Sequence, residues 1–316
     1  MKRSYILAAT AILCWSTVAT VVKLLLGSLT SMQVLFASSG FAALALFVYN
    51  AATGRLSMLR GYGPRDYLIT LLIGIPGTFL YYVFYYSGTA RMPASQAFII
   101  NYLWPIMSVI FACIILRERL TVRKAVAIFL SFLGVVIVTG ADLTATGSDT
   151  LLGALFCVLG AVSYGVYTAL NQRFGYDKRI SMMFFYLTSF LLTGIINLCT
   201  VGLPEVSLVQ ILGFGWNGIF TMAVANTAWM LALESGKTAK ISNLAYVTPF
   251  LSLIWTALVL KEDVRLLSVL GLAVIVTGIL IQLKDKKNAP AEDVATEGAS
   301  VDGVATEEEV SENDHL

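Results

Sequence analysis

The sequence of 316 residues is 58% hydrophobic, only 13% charged, and carries a formal net charge of +2. A soluble domain carries about 25% charged residues, so a water-compatible surface over the whole chain is excluded. A mean hydropathy of +0.80 points instead to an all-α polytopic membrane protein.

A membrane-crossing helix needs roughly 20 apolar residues. Ten such stretches follow one another, at 4–26, 32–51, 67–87, 94–116, 122–140, 150–171, 180–203, 208–233, 240–260 and 266–283. The first opens Met1-Lys2-Arg3, but its apolar run is longer than a signal core and no small-residue cleavage site follows. It reads as a retained helix. Cys14, Cys113, Cys157 and Cys199 fall within stretches and show no CxxC spacing, so they read as packing residues with no metal implied. The only histidine, His315, lies near the carboxyl end, which excludes a histidine proton switch inside the membrane.

Residues 285–316 form an expected disordered acidic cytoplasmic tail. From Ala289 onward it holds nine acidic residues and neither a basic nor an aromatic one. It reads as a solubilising appendage, with a partner protein for the tail as the alternative.

Lys and Arg favour the cytoplasmic side of a membrane protein. With both termini inside, the inner segments hold 17 of the 21 basic residues, leaving Lys23, Arg91, Lys261 and Arg265 outside. The expected location is a bacterial cytoplasmic (inner) membrane, multi-pass, with cytoplasmic termini.

The chain also repeats. Tyr102-Leu-Trp-Pro105 aligns with Tyr246-Val-Thr-Pro249 at an offset of 144, which also pairs Ser108 with Ser252, Glu118 with Glu262 and Gly134 with Gly278. Arg117 and Lys261 each place a basic residue before the glutamate. Two five-helix repeats are expected, 1–141 and 142–284. Five is odd, so the second copy enters the membrane inverted, the arrangement of secondary transporters whose substrate site lies between the halves.

The opening ILCWSTVATVVK, the NYLWP run at Asn101–Pro105 and YVTPFLS near residue 246 resemble the drug/metabolite transporter superfamily, in its EamA-type branch. Within that branch Leu13-Cys-Trp15-Ser16-Thr17, NYLWP and Tyr246-Val-Thr-Pro249 are similar to bacterial exporters of aromatic amino acids. The resemblance covers approximately residues 4–283. It implies export of small metabolites by alternating access, with amino acids foremost.

Polar and aromatic residues inside the stretches are the candidate substrate contacts: Trp15, Tyr82, Asn101, Tyr102, Trp104, Tyr164, Asn226, Trp229 and Tyr246. A buried amide must find partners, and aromatic walls suit a flat or apolar ligand. Interhelical packing is the competing reading of each stripe. Tyr82 and Tyr85, with Thr78 and Phe79, fall on one face at spacing 3 and 4. Pro105 and Pro249 are expected helix kinks. Gly74, Gly77, Gly213 and Gly218 are expected close-packing points.

Lys23 is read as snorkelling to the outer interface; pointing inward, it would attract a substrate carboxylate. Glu234 is read as a local ion pair with Lys237 and Lys240. Glu118 and Glu262 are read as interfacial anchors. No Asp, Glu or His falls in the middle of a stretch, which argues against proton coupling and for facilitative transport. No cofactor and no nucleic-acid partner is expected; the partners are a small-molecule substrate and the lipid bilayer. The sequence lacks GxxxxGK[ST], HExxH and GxSxG, so no enzyme class is supported. A multidrug cation exporter of the same architecture and a non-transporting sensor are the alternatives.

Overall fold

The computed structural model describes residues 2–140, 148–233 and 244–286. Glu234, Lys237 and Lys240 lie outside the described residues, as does the tail from residue 287. The described residues fold into helices joined by short turns. Eight helices are long and apolar enough to cross a membrane: α1 (Arg3–Leu26), α2 (Ser31–Ala52), α3 (Pro64–Arg91), α4 (Ala94–Ile115), α5 (Val122–Thr139), α6 (Ser148–Phe174), α7 (Lys178–Cys199) and α8 (Leu208–Leu233). Two shorter apolar helices follow, α9 (Ala245–Val259) and α10 (Leu266–Ile281). The chain is a multi-pass membrane protein.

Local signals set where the helices begin. Thr30 and Gln33 close a capping box on α2 through bonds of 3.2 and 3.1 Å, satisfying donors that the first turn leaves free. Ser207 and Gln210 do the same for α8. At the matching position of α3, Asp66 accepts from the Gly63 amide at 2.8 Å and Pro64 takes the first helical position.

Several helices are interrupted. α1 breaks at Thr17, between Lys2–Ser16 and Val18–Leu26. α4 breaks at Tyr102–Leu103, and α9 opens with a 3₁₀ turn, Ala245–Val247. Pro105 and Pro249 stand in the first turn of the helices that restart there, where a missing N–H breaks no bond. α3 and α8 each widen into a π-helical segment, Ile75–Leu80 and Trp216–Val224.

Among the described residues, Arg117 and Lys261 are the only non-glycine residues with positive φ, at 59° and 56°. Each follows a helix end. The next residue, Glu118 or Glu262, donates its N–H back to the Ala112 or Thr256 carbonyl at 3.4 and 3.3 Å. This left-handed closure usually takes glycine, so the repeated basic–glutamate pair marks a helix terminus of fixed geometry in both halves.

The helix packing exchanges under the same numbering. α5 packs on α10 and α2 on α7. The α3–α6, α4–α6 and α2–α8 contacts have counterparts in α8–α1, α9–α1 and α7–α3. Replacing helix n by n+5 therefore maps these contacts onto one another. Close approach occurs where glycine permits it: a Cβ added at Gly74, Gly77, Gly213 or Gly218 would come within 3.0 Å of a neighbouring helix.

Candidate functional site: an aromatic cavity between the halves

The breaks and π-segments converge on one cavity. It encloses about 100 Å³ and is lined from α1 (Trp15, Val18), α3 (Tyr81, Tyr82, Tyr85), α4 (Phe98, Asn101, Tyr102, Trp104), α6 (Tyr164), α8 (Asn226) and α9 (Ala245, Thr248). The π-segments of α3 and α8 end one residue before Tyr81 and Ala225, so the extra backbone residue sets the phase in which Tyr81, Tyr82, Tyr85 and Asn226 face inward. The break in α4 turns Asn101, Tyr102 and Trp104 to the same space, although an unbroken helix would spread them around its circumference.

Seven of the nine residues singled out from the sequence meet here: Trp15, Tyr82, Asn101, Tyr102, Trp104, Tyr164 and Asn226. Trp229 and Tyr246 are not among the lining. Trp229 stands behind Trp15, with ring centroids 5.4 Å apart, and Tyr246 packs against the main hydrophobic core.

Rings form a continuous wall. Trp104 meets Tyr164 edge-on at 5.1 Å, Tyr164 lies 5.0 Å from Tyr81, and Tyr81 lies 4.7 Å from Tyr82. Polar tips are tied across it. Asn101 Nδ2 donates to Tyr81 Oη at 2.9 Å, and Tyr102 Oη donates to the Ala245 carbonyl at 2.7 Å. Tyr82 Oη lies 3.4 Å from Tyr186 Oη, which also accepts from Asn226 Nδ2 at 3.1 Å. Tyr82 and Asn226 occupy matching positions, 144 residues apart, and thus share one hydroxyl.

Among the described residues, no Lys, Arg, His, Asp or Glu lines the cavity. Lys23 is not among the lining: its Nζ donates to the Thr89 and Met92 carbonyls at 2.7 and 2.8 Å, capping the end of α3. Glu262 is likewise more than an anchor, because its oxygens accept from the Ala94 and Ser95 amides at 2.7 and 3.0 Å. Glu118 instead pairs with Lys124 at 2.9 Å.

At the loop end, Arg55 pairs with Asp177 at 3.3 Å and Tyr176 Oη donates to Asp66 at 2.9 Å, drawing the α2–α3 and α6–α7 connections together. Burial, with Asp177 and Asp66 nearby, holds the Tyr62 phenol above its ordinary range. A larger groove between α5 and α6 is apolar apart from Thr139, Ser148 and Asp149; it offers neither an aromatic ring nor an amide.

The EamA-like transporter family matches residues 2–140 and again 151–283. The chain belongs to the EamA-like transporter family. Its two matches fall on the two sets of helices that exchange contacts. An Ancylobacter novellus relative, the aromatic amino acid exporter YddG, is 27% identical over 258 residues, covering 77% of this chain and 84% of that protein. The uncharacterized inner membrane transporter YhbE of Escherichia coli K12 is 23% identical over 289 residues, 87% of this chain and 89% of that one. A crystal structure with a TM-score of 0.65 and 23% identity covers 89% of this chain and 96% of that chain, and shares the fold. An EamA-like chain is a transporter rather than an enzyme, and the resemblance read from NYLWP and YVTP leads to that family.

Val18, Tyr81, Tyr85, Phe98, Ala245 and Thr248 were not selected for the site from sequence. Tyr85 was visible as a face with Tyr82, and both line the cavity; Thr78 and Phe79, the other members of that face, lie in the π-segment and are not among the lining. Tyr186, which joins Tyr82 to Asn226, sits in an ordinary apolar stretch with no motif around it.

Proposed function

We propose that this EamA-like protein exports bulky neutral amino acids, aromatic ones foremost, by facilitative alternating access. Ten helices cross a bacterial cytoplasmic membrane as two inverted five-helix repeats, residues 1–141 and 142–284, with both termini and the acidic tail in the cytoplasm. The carrying observation is the cavity itself: aromatic walls and two amides, without a charged side chain, where the two sets of helices meet. Such a lining suits a solute with a flat apolar side chain and no net charge. The contact exchange between helices n and n+5 supports two interconvertible halves. The excess of basic residues on one side supports the orientation. The relative named as an aromatic amino acid exporter supports the substrate class.

At about 100 Å³ the cavity is smaller than the roughly 300–1,000 Å³ of typical ligand sites. Substrate entry therefore requires the helices to part. Pro105 and Pro249, beside the breaks in α4 and α9, give bending points that break no further backbone bond. A planar cation would need a carboxylate partner in the membrane, and the lining offers none.

Counterflow in proteoliposomes tests the proposal. Vesicles preloaded with unlabelled amino acids should take up labelled phenylalanine, and the rate should not change with an imposed pH gradient. Uptake of a planar dye cation only under a pH gradient, without amino acid movement, would make the protein a proton-coupled drug exporter.

A further inference from the structure

α1 is broken near its middle, and two indoles from α8 and α9 bond to the break. Ser16 and Thr17 stand there, between the cavity residues Trp15 and Val18. The Thr17 amide donates three residues back to the Cys14 carbonyl at 3.2 Å. The Ser16 and Thr17 hydroxyls donate to the Leu13 and Cys14 carbonyls, each at 2.7 Å. Such back-bonding by short hydroxyl side chains bends a helix.

Each hydroxyl keeps lone pairs to accept with, whereas an indole N–H can only donate. Trp255 Nε1 of α9 donates to Ser16 Oγ at 3.0 Å, and Trp216 Nε1 of α8 donates to Thr17 Oγ1 at 2.9 Å. Trp216 opens the π-segment of α8 and stacks on Phe220 with ring centroids 4.8 Å apart, which fixes the direction of its N–H. Tryptophan is common at membrane interfaces, where its N–H reaches water or headgroups. These two bonds fall instead near the middle of the span Arg3–Leu26, at a depth where hydrocarbon offers no acceptor.

The repeat supplies an internal control. At the offset of 144, Leu72 and Phe111 stand where Trp216 and Trp255 do, and neither side chain carries an N–H. α6, which takes the place of α1 in the second set of helices, runs unbroken from Ser148 to Phe174. Indole donors and helix break thus occur together in one set and are absent together from the other.

We propose that Trp216 and Trp255 are positioning residues of the transport site. Their N–H groups hold α1 open at Ser16–Thr17, and the break sets how Trp15 and Val18 enter the cavity wall. Neither indole is among the lining, so each acts through α1 and not on the solute. α8 and α9 also supply Asn226, Ala245 and Thr248 to the lining, so the two bonds keep Trp15 in register with that wall. This assignment rests on the reading of the cavity as the amino acid site and extends it to two residues outside the lining.

The test uses the full chain, with phenylalanine counterflow in proteoliposomes beside amide hydrogen exchange of the purified protein without solute. Trp216→Phe and Trp255→Phe each keep an aromatic ring and lose the N–H. Each should raise KM for phenylalanine roughly fivefold, the effect of one neutral hydrogen bond, with the maximal rate unchanged. Combining Trp255→Phe with Ser16→Ala should raise KM by less than the product of the single effects, since both break one bond. Exchange at residues 15–21 should quicken in both tryptophan variants while α6 keeps its wild-type rates. Wild-type KM in both variants would overturn the assignment. So would a fall in maximal rate with faster exchange throughout, which is general loosening. Should wild type move no phenylalanine, the export reading falls and exchange alone decides the hold on α1: wild-type rates at the break overturn it, faster rates there uphold it.

Discussion

Glu262 holds the amino end of α4: one carboxylate oxygen accepts from the Ala94 amide at 2.7 Å and the other from the Ser95 amide at 3.0 Å. Those amides are donors that the first helical turn cannot satisfy, and a negative charge is favoured there. The contact joins helices from opposite halves. Its counterpart 144 residues earlier, Glu118, pairs with Lys124 at 2.9 Å.

Glu262→Gln keeps one accepting oxygen and loses the charge, so it should destabilise the protein by about 1–3 kcal/mol. Glu262→Ala should lower the thermal midpoint further. Glu118→Gln should cost less, about 1 kcal/mol or under, because that side chain is 29% exposed. Thermal denaturation of the three variants in detergent measures the order; equal losses at Glu118 and Glu262 would remove the distinction between them.

Tyr186 lies behind the cavity and gives Tyr82 and Asn226 a common partner. Tyr186→Phe leaves both in place but frees the Asn226 amide from its longer-range tie. A loss of about 0.5–1.5 kcal/mol, or two- to tenfold in transport rate, is expected at unchanged membrane insertion. Tyr82→Phe should have a smaller effect, since its 3.4 Å contact is long.

Gly218 and Gly77 differ in what surrounds them. A Cβ on Gly218 would run into the Ser38 carbonyl, which is backbone and cannot turn aside, whereas on Gly77 it would meet the ring of Tyr167. Gly218→Ala should destabilise by about 1–3 kcal/mol or rearrange the α2–α8 contact. Gly77→Ala should be better tolerated if the ring rotates. The yield of monodisperse protein and its melting midpoint report the difference.

Much of this was legible in the sequence because hydrophobic length and a fixed offset are linear signals. The apolar stretches locate the helices closely, and NYLWP with YVTP marks the broken helices whose prolines restart α4 and the regular part of α9. What escaped depends on geometry that spacing does not encode. Thr78 and Phe79, expected on one face with Tyr82 and Tyr85, fall in the π-segment of α3 and do not line the cavity, while Trp229 meets Trp15 at 5.4 Å between ring centroids, outside the lining. The contacts of Lys23 and Glu262 were not legible because their partners are backbone groups of distant helices, and backbone carries no sequence signal.

Asn101 and Asn226 bring the two amides of the cavity from opposite halves, so phenylalanine counterflow by Asn101→Ala and Asn226→Ala, at matched insertion beside wild type, is the decisive measurement. Loss of roughly tenfold or more in each is expected, in line with removal of a buried hydrogen-bonding group. Wild-type counterflow in both variants would mean that the substrate does not pass through this cavity.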